Sequence, residues 1–440
     1  MKFHLVVFGC QMNANDADRV RTILQKMGAT ETENPENAEM VIFVSCSIRQ
    51  HAEDRVFGLL RKYAKTGKIL GITGCMVRRT STQNSEKKDK LLSRAKNIDF
   101  VFRIADAPKL PELLREFFPI PDEFLEKDFG GIFEIFPTQK NRASAFVPIS
   151  TGCDHHCTFC IVPHTRGAEK CRSRDEIIAE CQKFLDAGAV EITLLGQNVN
   201  RWYFGERGKN PFKTDFALLL EEIANLPKLK WLRFLSPHPQ HLGDDVLRVM
   251  AENKTICRHL HLPVQSGDDE MLRKMARGYS AKKFSETLQK ARELMPEISI
   301  STDIIVGFCG ETENQFQKTV ELCERENFDM IYIAKFSVRP NTPAAKWADD
   351  ISLDEKKRRF AILNEVLKKS SAKNLKTEIG KTREVLIDAV DDKNIARGHT
   401  EQMRTVFFPV GRRGKDFVGK MVSVKITAAE TFFVRGKMIF

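Results

Sequence analysis

Ser150-Thr-Gly-Cys-Asp-His-His-Cys-Thr-Phe-Cys160 places Cys153, Cys157 and Cys160 within one short loop, separated by three residues and then by two. A closed structural zinc site takes four ligands, usually as two close pairs of cysteines. The local set here stops at three thiolates. That number suits an iron–sulfur cluster that keeps one iron open to a substrate or cofactor, thiolates being the usual cluster ligands. His155 or His156 could complete a zinc site instead, although a histidine wedged in so tight a loop more often faces solvent.

The chain around this loop has 440 residues, enough for roughly two to four domains. Hydrophobic content of 42% and charged content of 29% are those of a globular protein, neither disordered nor membrane-embedded. No apolar run approaches the ~20 residues needed to cross a bilayer. The opening Met1-Lys-Phe-His-Leu-Val-Val-Phe-Gly-Cys10 has too short an apolar stretch for a signal sequence and reads as a first strand. A cytoplasmic location without a membrane partner is expected. The 11 cysteines are many for such a compartment, and their number is odd. Reducing conditions argue for metal or catalytic use rather than a disulfide framework. A net charge of +11 favours a polyanionic partner. From Ser371 to Phe440, 14 Lys and Arg stand against 8 Asp and Glu, so more than half the excess lies in the last sixth of the chain.

Upstream of the loop, apolar runs at 3–8, 40–45 and 68–73 alternate with helical patterns at about 15–27 and 52–66. This alternation predicts an α/β domain, a mainly parallel sheet with helices on its faces. Each run ends in a cysteine: Phe8-Gly-Cys10-Gln-Met-Asn13, Val44-Ser-Cys46-Ser-Ile-Arg49 and Thr73-Gly-Cys75. Ligands of open α/β sheets bind beyond the carboxyl ends of the strands. Cys10, Cys46 and Cys75 are therefore expected to converge on one sheet edge. Free cysteines also serve as small core hydrophobes, but their shared position after three successive strands favours a second cluster. Residues 76–97 read as a polar, solvated excursion, and Pro119, Pro121, Gly130, Gly131 and Pro137 mark 119–144 as a linker or crossing.

Downstream, strand-like runs recur at 146–150, 190–195, 230–235, 257–262, 298–305 and 330–336 with helical patterns between them. The first helix opens on a capping box, Ser173 and Glu176, with Gly188 just past its end. Six βα units predict an open, partial β/α barrel, whose chemistry sits at the carboxyl ends of the strands. Polar clusters stand there: Cys153 to Cys160, Gly196-Gln197-Asn198, Ser236-Pro-His-Pro239, Pro263-Val-Gln265-Ser-Gly267, Gly307-Phe-Cys-Gly-Glu311 and Ser337-Val-Arg339-Pro340. Each alone reads as turn chemistry; six in register predict one working face.

A long charged helix follows, opened by a second capping box at Ser352 and Glu355. Beyond Gly380 the period becomes two. Val422, Val424 and Ile426 share one face, with Ser423, Lys425 and Thr427 on the other, and glycines mark a turn at 411–414. A small antiparallel β-barrel is predicted. Arg404, Arg412, Arg413, Lys415, Lys420, Lys425, Arg435 and Lys437 fit an RNA-binding surface. Phe407, Phe408, Phe417, Phe432 and Phe433 are expected in its core.

Cys153-x-x-x-Cys157-x-x-Cys160 resembles the radical S-adenosylmethionine (SAM) signature. Taken with Gly9-Cys-Gln-Met-Asn13 and the basic barrel, the whole chain resembles the methylthiotransferases. The likeness is closest to the MiaB-type tRNA enzymes, through Ala52-Glu-Asp-Arg55, Pro163-His-Thr-Arg-Gly167, Leu194-Leu-Gly-Gln-Asn-Val-Asn200, His261-Leu-Pro-Val-Gln-Ser-Gly267 and Phe336-Ser-Val-Arg-Pro340. Cys309, His164, Asp154 and Cys171 depart from the usual Pro, Tyr, Asn and Ser, and none is an expected cluster ligand. Cys171, Cys181, Cys257, Cys309 and Cys323 lack partner spacing, and most read as structural.

The resemblance implies an N-terminal doubly wound cluster domain over 1–118, a linker over 119–144, an open (βα)6 radical-SAM partial barrel over 145–370 and an RNA-binding TRAM barrel over 375–440. It implies two [4Fe-4S] clusters, one on Cys10, Cys46 and Cys75 and one on Cys153, Cys157 and Cys160. The second would chelate SAM and generate a 5′-deoxyadenosyl radical; the first would carry the sulfide that becomes the methylthio group. Gln197 and Gln265, on the expected working face, are candidate SAM contacts. The implied reaction is methylthiolation at C2 of N6-isopentenyladenosine at tRNA position 37. Threonylcarbamoyladenosine in tRNA and an aspartate of a ribosomal protein are the alternative substrates, and a non-catalytic iron–sulfur RNA-binding protein is a further reading. Implied partners are the anticodon stem-loop, SAM, an electron donor such as flavodoxin or ferredoxin, and a sulfur donor.

Overall fold

The computed structural model describes the chain apart from residues 47–49, 96, 126–128, 140–142, 204–212, 412–413 and 440, and apart from the side chains of 50–52 and 94. Arg412 and Arg413 of the basic tail, and Ser47, Ile48 and Arg49 of the Cys46 motif, thus lie outside the described residues. The chain divides into two units. One comprises Met1–Lys140, Thr151–His155 and Cys160–Lys170, the other Asn141–Ser150, His156–Phe159 and Cys171–Phe440.

In the first unit, β1 (Lys2–Val7), β2 (Thr30–Glu31), β3 (Met40–Ser45), β4 (Ile69–Gly74), β5 (Ser81–Thr82) and β6 (Phe100–Val101) form one sheet in the order β2-β1-β3-β4-β6-β5. All pairs are parallel except β5 with β6. The helices are α1 (Gln11–Lys26), α2 (Gln50–Tyr63), α3 (Lys90–Arg94), α4 (Leu110–Leu114) and α5 (Asp122–Leu125). Strand side chains alternate between faces. Met40, Ile42 and Val44 of β3 pack with Val20, Ile23 and Leu24 of α1. Val41 and Phe43 pack on the other face with Val56, Leu60 and Tyr63 of α2. Burial on both faces explains the unbroken apolar run of β3 and makes the sheet doubly wound.

Two stretches are more ordered than their composition implies. The excursion at 76–97 contains β5 and α3, and buries Ser81, Thr82 and Asp89. Asp89 organises it by accepting from the backbone N–H groups of Arg78, Arg79 and Leu91, each at 2.9 Å. The 119–144 stretch packs on α1 over part of its length. Arg19 donates to the carbonyls of Ile132, Phe133 and Ile135, and Ile135 joins the α1 core.

The second unit begins with β7 (Ser144–Pro148). The segment that follows carries β8 (Ser150–Thr151) and β9 (Lys170–Cys171), with α6 (Val162–Arg166) in the stretch that belongs to the first unit. Then come α7 (Arg174–Asp186), β10 (Glu191–Leu195), α8 (Asp215–Ala224), β11 (Trp231–Phe234), α9 (Asp244–Glu252) and β12 (His259–His261). The series ends with α10 (Asp269–Lys274), α11 (Ala281–Leu294), β13 (Ser299–Val306), α12 (Glu313–Glu326), β14 (Met330–Lys335) and α13 (Leu353–Lys376). β7-β10-β11 and β12-β13-β14 are parallel sheets, linked by a parallel bridge from Leu232 to Ile256. The six expected strands are thus present in chain order, forming an open array over one core of aliphatic and aromatic side chains.

The α7 capping box at Ser173 and Glu176 is complete, and Thr312 with Gln315 forms another at α12. At α13 only half forms: Ser352 accepts from the Glu355 N–H, while the Glu355 carboxylate is taken by Arg358 and Arg359. β15 (Thr382–Val390), β16 (Ile395–Thr400), β17 (Thr405–Pro409), β18 (Met421–Ala429) and β19 (Val434–Met438) close a barrel in the order β15-β16-β17-β19-β18. Its pairs are antiparallel except the parallel closure of β17 on β19.

Candidate active site

β1, β3 and β4 lie side by side and run parallel, so their carboxyl ends share one edge. Cys10 is the N-cap of α1 beyond β1, Cys46 directly follows β3, and Cys75 directly follows β4. The Cys75 N–H donates to the Ser45 carbonyl at 2.9 Å, locking the last two thiols in register. Two glycines permit the approach. A Cβ on Gly9, at φ +125°, would stand 2.7 Å from the Cys46 Cβ, and one on Gly74, at φ +92°, would stand 2.5 Å from the Ser45 carbonyl oxygen. The expected convergence is present in the fold.

Cys10 is exposed, whereas Cys46 and Cys75 are buried. Burial, opposed by Arg166 and reinforced by the proximity of Cys46 and Cys10, pushes the Cys75 thiol up to about 11. Arg166 Nε donates to Cys75 Sγ at 3.2 Å, and its terminal nitrogen pairs with Asp16 at 2.6 Å. Thiols gathered at one sheet edge, one exposed and two buried, fit a soft metal centre, which takes them as thiolates and would remove the proton that burial holds on Cys75. Three sulfurs fit a cluster with one open iron.

The 153–160 loop is divided between the two units, with Cys153 and Cys160 in segments of the first and Cys157 in a segment of the second. Gly152 sits at φ +75°, and the Cys153 N–H donates to the Gly167 carbonyl at 3.1 Å. In the second unit, Thr158 caps the carboxyl end of α10. Its N–H donates to the Met275 carbonyl at 3.2 Å and its hydroxyl to the Lys274 carbonyl at 2.9 Å. Phe159 packs edge-on against Phe308. The buried Cys157 Sγ accepts from Arg277 at 3.2 Å. His156 is exposed, as expected for a histidine in so tight a turn, whereas His155 is half-buried.

Gln197 is half-buried just beyond β10. Gln265 is buried at φ +75°, where its N–H donates to Asp303 and its carbonyl accepts from Ile305, bridging it to β13. Both lie past the carboxyl ends of parallel strands. Asn198 belongs to the Gly196-Gln197-Asn198 cluster of the expected working face but is not among the SAM contacts expected from sequence. It is 1% exposed, and neither amide atom has a partner among the described residues. The Ser150 hydroxyl is likewise buried and unpaired there. Buried polar groups ordinarily have partners, so these orphans suit a polar ligand such as an amino-acid moiety. Only their shared place at the strand ends pointed to them in sequence.

The barrel corrects two expectations. Among its phenylalanines Phe408 is buried in the core, while Phe432 is 41% exposed and Phe407 packs edge-on against Phe433 with ring centroids 5.0 Å apart. Arg435 stands 5.1 Å over the Phe433 ring and pairs across strands with Phe407, which pairs in turn with Arg397. Lys425 and Lys437 are exposed neighbours in register. This cation–aromatic row suits stacked bases and phosphates. Arg404 is no part of it: it is committed to salt bridges with Asp329 and Glu378.

Comparison with known proteins agrees with this geometry. The Radical SAM superfamily model matches residues 147–323, that of Uncharacterized protein family UPF0004 residues 2–102, and that of the TRAM domain residues 376–439. A tRNA-2-methylthio-N(6)-dimethylallyladenosine synthase of Dictyoglomus thermophilum is 38% identical, the match covering 100% of this chain and 98% of the relative. Proteins of the same name from Acidovorax sp. and Clostridium botulinum are 36% and 38% identical, each match covering 100% of this chain and 97% of theirs. The radical SAM methyltransferase TsrM of Kitasatospora setae shares the fold at 12% identity with a TM-score of 0.53, over 78% of this chain and 75% of its own. Radical SAM enzymes use SAM and a [4Fe-4S] cluster, and MiaB-type members carry two clusters. No helix among the described residues is long and apolar enough to cross a membrane. The chain belongs to the tRNA-2-methylthio-N(6)-dimethylallyladenosine synthase family of radical SAM methylthiotransferases, and is a transferase.

Proposed function

We propose that the chain adds a methylthio group to C2 of N6-isopentenyladenosine next to the anticodon, at tRNA position 37. The observation that carries this reading is the second thiol set. Cys10, Cys46 and Cys75 end three neighbouring strands, and this set is separate in sequence from the 153–160 loop. Cys153, Cys157 and Cys160 would hold one cluster and Cys10, Cys46 and Cys75 the other. An aromatic C–H on adenine is neither acidic nor electrophilic enough for acid/base or nucleophilic chemistry, and the clusters with SAM, when bound, supply the radical and sulfur chemistry it needs.

The chain's own residues bind and orient. Gln197 and Gln265, with Asn198 and Ser150, present hydrogen-bonding groups to the amino-acid end of SAM. Arg166, fixed by Asp16, holds Cys75 in place. Arg397, Phe407, Phe433 and Arg435 on the barrel, with Lys425 and Lys437, take hold of the tRNA. The domain limits 1–118, 119–144, 145–370 and 375–440 belong to this reading. So do a cytoplasmic location, a one-electron donor such as flavodoxin or ferredoxin, and a sulfur donor that restores the consumed sulfide.

The test is anaerobic incubation of the reconstituted chain with SAM, a reductant and tRNA bearing isopentenyladenosine, followed by nucleoside mass spectrometry. Gain of the methylthio group is the expected result. Deoxyadenosine without modified tRNA would move the substrate to threonylcarbamoyl-tRNA or the ribosomal protein. Neither product, from a chain loaded with iron and sulfide, would overturn the enzyme reading.

A further inference from the structure

Arg277 is 6% exposed, and each of its side-chain nitrogens has a partner. Nε donates to the Tyr279 hydroxyl at 2.9 Å, one terminal nitrogen to Cys157 Sγ at 3.2 Å and the other to the Pro263 carbonyl at 3.2 Å. The Tyr279 hydroxyl is itself held near the carbonyls of Pro263 and Val264, at 3.1 and 2.9 Å. The fork is therefore fixed in direction and aimed at one sulfur. Among the described residues no carboxylate pairs with it. A buried guanidinium is stabilised by a counter-charge, and Cys157, as a thiolate ligand of a cluster, would supply one at the sulfur that Arg277 already meets.

Arg166 makes the instructive contrast. It donates to Cys75 Sγ at the same 3.2 Å, but Asp16 already pairs with it at 2.6 Å. One thiol set thus faces a cation whose charge is shared with a carboxylate, and the other faces a cation whose charge is not.

We propose that Arg277 is a positioning residue that biases the cluster of Cys153, Cys157 and Cys160 toward its one-electron-reduced state. The inference rests on reading those cysteines as cluster ligands. Reduction transfers one electron from an external one-electron donor and makes the cluster with its thiolates one charge more negative. A fixed cation and an N–H···S bond in a low-dielectric setting stabilise that added charge, and hydrogen bonds to cluster sulfurs raise reduction potentials. The reduced state is the one that must hand an electron to SAM. At Cys75, the Asp16 carboxylate paired with Arg166 works against the corresponding bias.

The experiment is an anaerobic redox titration of the full-length chain with dithionite and mediators, read by electron paramagnetic resonance. Cys10, Cys46 and Cys75 are replaced by alanine so that one cluster reports. Arg277→Gln removes the charge and keeps an N–H donor; Arg277→Lys keeps the charge and loses the fork. The Gln variant is expected to be reduced about tenfold less favourably, a shift of ~59 mV to more negative potential for a one-electron couple. The Lys variant should recover at least half of that shift. A Gln variant with full iron and sulfide and an unshifted potential would overturn the proposal. Loss of iron from both variants, with the parent loaded, would equally overturn it, making Arg277 a builder of the loop. A parent that binds no iron would instead remove the ligand reading, and the proposal with it.

Discussion

Gly74 adopts φ +92° with the Ser45 carbonyl occupying the place of a side chain, so an alanine there meets both backbone strain and a backbone clash. Gly74→Ala is predicted to cost about 1–3 kcal/mol and to lower the iron held by Cys10, Cys46 and Cys75. Urea denaturation and iron analysis check the two effects separately. Unchanged stability with full iron would show that the strand ends are less tightly joined than described. The cysteines themselves were legible in the sequence because each follows an apolar run. Arg166 and Arg277 were not, since their sulfur partners lie 91 and 120 residues away in the chain. The sequence placed Asn198 in a polar cluster but could not show its orphaned amide, because an amide without a partner is recognised only once its surroundings are folded. Cys181, Cys257 and Cys323 match the structural expectation: all three are buried, and burial pushes each thiol up, to about 12 for Cys257 and Cys323, keeping it protonated.

At the scale of elements, periodicity located the strands of the six βα units because each sits over one contiguous core. It missed β6, β5 and α3, whose short runs are held by pairing with distant strands and by the Asp89 carboxylate rather than by their own patterning. The second capping box was misread because Glu355 has stronger partners in Arg358 and Arg359 than in a backbone N–H. The barrel's row of Arg397, Phe407, Phe433 and Arg435 depends on cross-strand register, which sequence alone does not fix. Replacing Lys425, Arg435 and Lys437 by alanine is predicted to weaken tRNA binding in a salt-sensitive way. The slope of log affinity against log salt should flatten by about one unit for each phosphate left without its cation. Filter-binding titrations at several salt concentrations measure it, with circular dichroism as the check on folding. An unchanged slope would place the tRNA elsewhere.

At the scale of the molecule, the barrel is joined to the central strands through a buried ionic network in the second unit. Glu191 of β10 accepts from Ser144, Arg233 and His399, and the other His399 nitrogen meets Asp388 at 3.0 Å. Burial alone would push Glu191 up, but the His399 hydrogen bond and the Arg233 charge hold it at about 2. Burial likewise opposes charge on His399, yet its bonds to Asp388 and Glu191 raise it to about 9. His399 therefore binds its proton more tightly folded than unfolded. Its contribution to stability is complete below its ordinary value of 6.5 and is lost as pH rises through about 9. Thermal unfolding from pH 6 to 10 should show this loss, and His399→Gln should flatten it. A wild-type profile that is already flat would contradict the network. Composition drew the barrel's outline near residue 375, but its attachment could not be read there, because Leu386 of the barrel packs with Ala143, Trp231 and Cys257. Removing the barrel would bare that core, so point variants are the sounder test of tRNA binding.

The central claim is a division of labour between two thiol sets, and it is tested most directly by comparing Cys157→Ala with Cys46→Ala under reducing, anaerobic conditions with SAM and isopentenyladenosine-containing tRNA. Deoxyadenosine and methylthio-nucleoside are quantified by mass spectrometry from the same reaction. Cys157→Ala is predicted to yield neither product, and Cys46→Ala to yield deoxyadenosine without methylthiolation. Normal methylthiolation by Cys46→Ala would contradict the account.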